Sequence, residues 1–410
     1  MPHDMPRESY IWNLNNPNFP EKTLQAPSPL CTLAFNPKMQ NVVVGGSYNG
    51  SLSFFDLSAG SASGVIRPFK TTFLEKSHHD PVYDVQWSTV GKSGSECFST
   101  STDGRILWWD YKHESGEPKE CLVMEDKVPV QGELKSKILG GTSLEYNSDV
   151  GPLKYLVGTE QGYIIMANKR KTIEIQSRFG YDQATSADVG KHHGPVYSLW
   201  RNPDHPKFFL SVGDWSAKIW SEEQKSPIMQ TRYHQAYLTD GCWSKTRCGL
   251  FFLTRIDGFL DVWDFYYRQN EVAYSQKISD SPLTSIEVNA DMAAIGDAEG
   301  TVAIMKLCKP LYERAPNEKD MMSSIFDRET KREKNLELAK RKETEKKQPK
   351  KEKDADKLAR EAEENMKATL NQIEEDFFKK VSVNEDVGAI KARGELSKQA
   401  AIEAEQAAQM

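Results

Sequence analysis

The stretch CFSTSTDGRILWWD (Cys97–Asp110) decides the fold. It reads as an apolar strand, a tight Asp-Gly turn and a second strand ending in Trp-Asp. Asp103-Gly104 supplies the positive φ that a two-residue hairpin turn requires. Ile106 and Trp108 alternate with Leu107 and Trp109, and all four are large and apolar, as in a strand covered on both faces. Working outward, the same hairpin recurs as VVVGGSYNGSLSFFD (Val42–Asp56), YLVGTEQGYIIMAN (Tyr155–Asn168), FFLSVGDWSAKIWS (Phe208–Ser221), FFLTRIDGFLDVWD (Phe251–Asp264) and MAAIGDAEGTVAIMK (Met292–Lys306). A seventh strand end, SYIWNL, lies at Ser9–Leu14. The Trp-like positions Trp12, Phe55, Trp109, Ala167, Trp220, Trp263 and Met305 are spaced by 43, 54, 58, 53, 43 and 42 residues. A four-stranded propeller blade takes about 40–45 residues, so three spacings match directly, and the excess in the others is assigned to loops.

A further strand precedes each hairpin: PLCTLAFNP, DPVYDVQWS, GPVYSLWRNP, YLTDGCWS and PLTSIEVNA. A four-stranded sheet cannot keep both faces dry alone, whereas seven stacked about an axis can. The expectation is an all-β, seven-bladed propeller over residues 1–314, followed by a charged helical, partly disordered tail over 315–410. The first blade is expected to be incomplete, because the chain opens at SYIWNL, a third strand. That reading makes the chain a shortened or alternatively started form whose open blade edge invites strand addition. Equal melting of a version extended upstream would refute it.

Composition bounds the function. The 410 residues carry 53 Lys+Arg against 59 Asp+Glu, a net charge of −6, which argues against a nucleic-acid reader built on bulk positive charge. No apolar run is long enough to span a bilayer and no secretory signal is visible, so no membrane association is expected. The six cysteines form no CxxC pair, which points to reduced thiols in the cytoplasm. Between residues 328 and 364, 14 basic and 11 acidic residues occur among 37, and Trp does not occur beyond Trp263. The tail reads as helix with acid-first i,i+4 pairs such as Glu337–Arg341, interrupted at Pro349. Met366, Leu370, Ile373 and Phe377 recur at coiled-coil spacing, and with Phe378 they form a candidate docking seam.

The hairpins resemble WD40 blades. His79 with Ser99, Asp103 and Trp109, and His193 with Ser211, Asp214 and Trp220, match the loop His, strand Ser, turn Asp and strand Trp of that family; Asp257 and Trp263 match part of the set. The resemblance implies a buried structural hydrogen-bond chain in each such blade. SPLCTLAFNPK, HHDPVYDVQW, KHHGPVYSLWRNP, YHQAYLTDGCWS, TRIDGFLDVWDF and SSIFDRETKREK extend the likeness to the dynein intermediate chain family, of the intermediate chain 2 type of axonemal outer-arm dynein, from about Ser9 to Lys334. What the resemblance implies is a non-catalytic scaffold in the axoneme of cilia and flagella. It would hold dynein heavy chains and a second intermediate chain as a heterodimer, beside microtubule or docking components. Light-chain binding is not carried over, since the family's N-terminal region is absent from this sequence.

Other readings weigh less. No nucleophile elbow or metal-ligand spacing frames the Ser, His and Asp residues, so no catalysis, cofactor or metal is expected. Gly91-Lys92-Ser93 lacks the first glycine of a phosphate loop. The basic run Lys346–Lys353 is interleaved with acids and reads as solvated. In the inter-blade stretches, Arg178, Phe179 and Tyr181 are the candidate protein contacts, since recognition favours Arg and aromatics on loops. A WD40 adaptor of a ubiquitin ligase, or an RNA-associated propeller, is the competing class.

Overall fold

The computed structural model describes residues 5–59, 64–89, 94–113, 115–130, 133–147, 154–169, 173–182, 187–381, 393–395 and 397–398. Two compact units emerge, Met1–Lys334 and Asn335–Met410.

The first unit is the seven-bladed propeller. Sheets two to six each hold four antiparallel strands in sequence order: for the third sheet, Val82–Trp87, Glu96–Ser101, Arg105–Asp110 and Glu120–Val123. Among the described residues the seventh sheet has three, Leu283–Asn289, Met292–Asp297 and Val302–Lys306. The first consists of Glu8–Ile11 paired with Lys22–Gln25, to which Val65–Ile66 adds in parallel. The innermost strands of sheets two to seven adjoin in sequence order. The sheets bury apolar side chains between one another: Val44, Phe54, Val85 and Leu107 pack between the second and third, and Phe252, Leu260, Ile286 and Ile295 between the sixth and seventh.

The hairpin turns carry positive φ at the glycine alone and close by a bond from its N–H to the carbonyl three residues before, as from Gly104 to Ser101 O (3.2 Å), so they are longer than the two-residue turns expected from Asp103-Gly104. Gly50, Gly104, Gly162, Gly258 and Gly300 all sit at positive φ. In the fifth sheet the shorter GDW turn puts Asp214 itself at φ 53°, a conformation that Asp tolerates better than most residues.

The long inter-blade stretches are more ordered than loops. They supply the fourth strands Lys70–Thr71, Glu120–Val123 and Ile173–Phe179, and a hairpin of Glu125–Val130 with Glu133–Ile138. Strand propensity there is masked in sequence by the charged residues around it.

The expected boundary between residues 314 and 315 falls inside the first unit. A short helix, Lys309–Tyr312, leads into a long one, Glu318–Val381. Within the first unit, Met322, Ile325 and Phe326 of the long helix are buried in one cluster with Phe208, Leu210, Phe251 and Phe265 of the fifth and sixth sheets. Phe326 stacks on Phe208 at a centroid distance of 4.6 Å. Glu318 is fully buried: its carboxylate accepts from Arg247 Nε (3.0 Å) and from the N–H of Gly249 (3.2 Å) and Ala315 (3.0 Å). The helix also runs on through Pro349, where the sequence predicts an interruption. A proline removes one backbone donor, and the Lys, Glu, Gln and Ala around it are strong helix formers.

Candidate functional site

In the third sheet, Trp109 Nε1 donates to Ser99 Oγ (2.8 Å), and Ser99 Oγ lies 2.8 Å from His78 Nε2. His78 Nδ1 is 3.1 Å from Asp103. An ionised Asp can only accept, so His78 carries its proton on Nδ1 and Ser99 donates to Nε2. The chain therefore runs Trp109, Ser99, His78, Asp103. The fifth sheet repeats it: Trp220 Nε1 donates to Ser211 Oγ (2.8 Å), which is 2.7 Å from His192 Nε2. His192 Nδ1 is 3.4 Å from Asp214, an ion-pair separation too long for a good hydrogen bond. Burial pushes the His192 pKa down despite that carboxylate. Burial also pushes Asp214 up, but His192, the His193 N–H and Ser216 together hold it well below the usual carboxylate range.

The histidines in these chains are His78 and His192, and not the expected His79 and His193. Each His-His pair straddles a turn. The first ring points into the sheet, while the second is exposed and contributes only its backbone N–H, to Asp103 (3.2 Å) and Asp214 (2.9 Å).

The sixth sheet departs further. Leu253 pairs with Asp261 where Ser99 pairs with Leu107, so the serine of the chain is replaced by leucine. Among the described residues, Trp263 Nε1 has no hydrogen-bond partner. Asp257, expected in the turn role, pairs with Arg255. Asp261 takes over, at 2.9 Å from His234 Nδ1 and accepting from Ser275 Oγ (2.6 Å).

Ser99, His78 and Asp103 have the residue types of a hydrolytic triad but not its access. Ser99 and Ser211 are fully buried and their oxygens already accept from indole N–H groups. No substrate carbonyl can reach them. Among the described residues no cluster of His, Cys, Asp or Glu is placed to hold a metal ion, and no helix is long and apolar enough to cross a membrane.

Neighbouring blades are joined by polar clips around a 470 Å³ axial cavity. Asp84 accepts from Leu144 N–H (2.8 Å) and Asp240 from Ile286 N–H (2.9 Å), each on the next sheet's inner strand. Ser143 and Ser198 donate across the two junctions between them, to Val196 O (2.9 Å) and Gly241 O (2.7 Å). Burial raises the pKa of both Asp84 and Asp240 to about 6. Asn36 and Asn202, each before a proline, cap their own turns and donate to Gly94 O and Cys248 O of the following blade, each at 2.7 Å.

The candidate contact residues divide. The Arg178 guanidinium lies 3.8 Å from the centroid of the Tyr163 ring and 4.5 Å from that of Tyr181, which is half-buried. Phe179 is not a contact residue: it is buried against Phe209 and Trp220, because it ends the fourth sheet's outer strand. In the second unit Met366, Leu370, Ile373 and Phe377 are exposed on the long helix; the side chain of Phe378 lies outside the described residues, as does Gly91–Ser93. Sequence reading missed an aromatic patch in which Trp215 and Tyr197 flank Tyr237 at centroid distances of 5.1 and 5.9 Å. Its signal was Trp215 one residue after the turn Asp214, where an indole has no strand to enter.

A ring of antiparallel sheets pinned by Trp–Ser–His–Asp chains defines a WD40-repeat propeller. Residues 69–110 match the WD domain, G-beta repeat model, and residues 140–307 match the dynein axonemal intermediate chain 3 WD40 domain. Over 381 residues the chain is 42% identical to dynein axonemal intermediate chain 2 of Homo sapiens, covering 92% of this chain and 60% of that protein. It is 41% identical over 342 residues to the 70 kDa intermediate chain of the flagellar outer arm of Chlamydomonas reinhardtii (82% and 57%). With dynein intermediate chain 3, ciliary, of Heliocidaris crassispina the identity is 44% over 337 residues (82% and 53%). The chain belongs to the WD40-repeat dynein intermediate chain family, and it spans between half and three fifths of the length of these relatives.

Proposed function

We propose that this chain is a non-catalytic scaffold subunit of an axonemal outer-arm dynein, acting in the cytoskeleton of cilia or flagella. The observation that carries the reading is the 41–44% identity to chains named for the axoneme, the flagellar outer arm and cilia, which spans most of this chain. Its partners are dynein heavy chains and a second intermediate chain. The geometry supports a holding role. The polar side chains that could do chemistry are spent inside the sheets, and the clips between blades make the propeller a rigid platform from which exposed aromatics project. The exposed seam of Met366, Leu370, Ile373 and Phe377 is a second docking element, with the spacing of a helix-pairing stripe.

The test is affinity purification of the tagged chain from high-salt axonemal extracts of ciliated cells. Stoichiometric recovery of a dynein heavy chain and a second intermediate chain is the expected result. A ligase without motor subunits, or nuclease-sensitive sedimentation, would replace the reading by one of the competing adaptors.

A further inference from the structure

Four large apolar side chains stand in solvent along one stripe of the long helix Glu318–Val381: Met366, Leu370, Ile373 and Phe377 are 63%, 53%, 63% and 58% exposed. Their separations alternate between four and three residues, which is the spacing of the two core positions of a heptad. Leu370 and Phe377 take the first core position, and Met366 and Ile373 take the second. The residues that follow Met366 and Ile373 flank the stripe on the same side and carry opposite charges, Lys367 and Glu374. Lys367 is in no ion pair among the described residues. Glu374 is bonded to Lys398 (2.6 Å), but both side chains are at least half exposed. A pair so exposed contributes little and exchanges readily for another. The core positions next outward are held by Glu363 and Lys380, again of opposite charge.

This stretch matches itself when a copy is turned end for end. In an antiparallel pair of helices the first core position of one faces the second core position of the other. With the two-fold axis between positions 371 and 372, Leu370 meets Ile373 of the copy and Phe377 meets its Met366. The same axis sets Lys367 beside Glu374 of the copy, twice over, and brings position 363, an acid, to position 380, a base. A parallel pair has none of this complementarity. It would set Glu363 against Glu363 and Lys380 against Lys380, and would place Lys367 and Glu374 beside the uncharged positions Ala362 and Thr369. Charge at the flanks decides orientation in such pairs.

We propose that the seam Met366–Phe377 is a self-association site at which two copies of this chain pair as a short antiparallel coiled coil. The contact is isologous, so each residue's partner lies on the same patch of the other copy. Four core layers are few, so the pairing is weak and depends on concentration. The inference rests on the docking role given to the seam above and names its occupant. Two joined copies hold their other partners with the avidity of linked sites, so loss of pairing also loosens the grip on a motor.

Sedimentation equilibrium of the full chain, with no motor subunit present, tests the pairing apart from the dynein reading. A reversible monomer–dimer equilibrium is expected. Leu370→Gln with Ile373→Gln should abolish it. Lys367→Glu alone should weaken it about tenfold, because the two-fold axis duplicates each new repulsion. Lys398→Gln, which releases Glu374, should leave the dimer as tight or tighter, and adding both Lys367→Glu and Glu374→Lys to that chain should keep it. Lys, Glu and Gln are all strong helix formers, so helix content and the propeller's melting midpoint should stay unchanged throughout. A chain that is monomeric at every concentration means that the seam takes a different protein, and overturns the proposal. So does a dimer that survives the paired Gln substitutions, which would lie on another surface. A dimer indifferent to Lys367→Glu, or one lost when both charges are exchanged, overturns it as well.

Discussion

At the residue scale, the most informative feature is a hydroxyl serving two partners. Ser211 Oγ accepts the Trp220 indole N–H and donates to His192, both in a sheet interior that water does not reach. Ser211→Ala therefore leaves a donor and an acceptor unsatisfied, which costs about 1–3 kcal/mol each at most. Urea unfolding should show a loss of roughly 2–4 kcal/mol for this change, and a loss below ~0.5 kcal/mol would refute the shared role. Asp240 makes a different prediction. Its folded pKa of about 6 lies above the ordinary 3.8, so between those values the native state holds its proton more tightly than the unfolded chain does. The stability from this group is full below about pH 4 and is lost as pH rises through 6. Asp240→Asn removes that titration, so its penalty measured at pH 5 should shrink at pH 7.5, by about 1.4 kcal/mol. A penalty that grows with pH contradicts the burial argument. The residue types of these chains were legible in sequence, but which of two adjacent histidines turns inward was not. His78 and His79 have the same chemistry, and only the turn geometry selects between them.

At the scale of elements, the period-two runs and Asp-Gly turns marked the second and third strands of nearly every blade. The fourth strands were hidden, because an outer strand such as Glu120–Val123 buries one apolar residue, Leu122, and leaves the rest in solvent. Phe179 was misplaced on a surface loop for this reason. The sixth sheet shows how far a blade tolerates loss of its signature. With Leu253 in place of the serine, Asp261 accepts from His234 and Ser275, and Trp263 is held by stacking on Phe251 at 6.0 Å between centroids. The helical seam is the element with the plainest functional consequence. Phe377→Ala combined with Phe378→Ala removes the two aromatic groups of the candidate seam. Co-sedimentation with heavy chain should fall several-fold while the propeller melts at the same temperature. Undiminished co-sedimentation would leave the seam as a solvated helix.

At the scale of the whole molecule, the charged tail and the propeller are not separated where composition changes. Lys, Glu and Arg dominate from residue 317 onward, and that shift hid Met322, Ile325 and Phe326, three apolar residues at helical spacing among charges. Their burial, with Glu318 beneath Arg247, makes the start of the long helix part of the propeller's core. Arg247 is otherwise answered by Asp264 at 2.9 Å and by Pro310 O at 2.6 Å, so removing Glu318 strips one of two carboxylates from a buried guanidinium. Two shortened chains separate the possible boundaries. A chain ending at residue 334 retains every one of these contacts and should melt with the propeller of the complete chain. A chain ending at 317 loses three buried apolar side chains, each worth about 1.5–3 kcal/mol on burial, and leaves Phe208 and Phe265 partly uncovered. At about 2–4 °C per kcal/mol for a domain of this size, its midpoint should fall by at least ~10 °C. Glu318→Gln in the complete chain gives an independent reading, since it keeps the helix but removes the ion pair and turns one of the two accepting oxygens into a donor. Coincident midpoints for the two shortened chains would mean that the helix start merely rests on the propeller, and the boundary would return to the point where the composition changes.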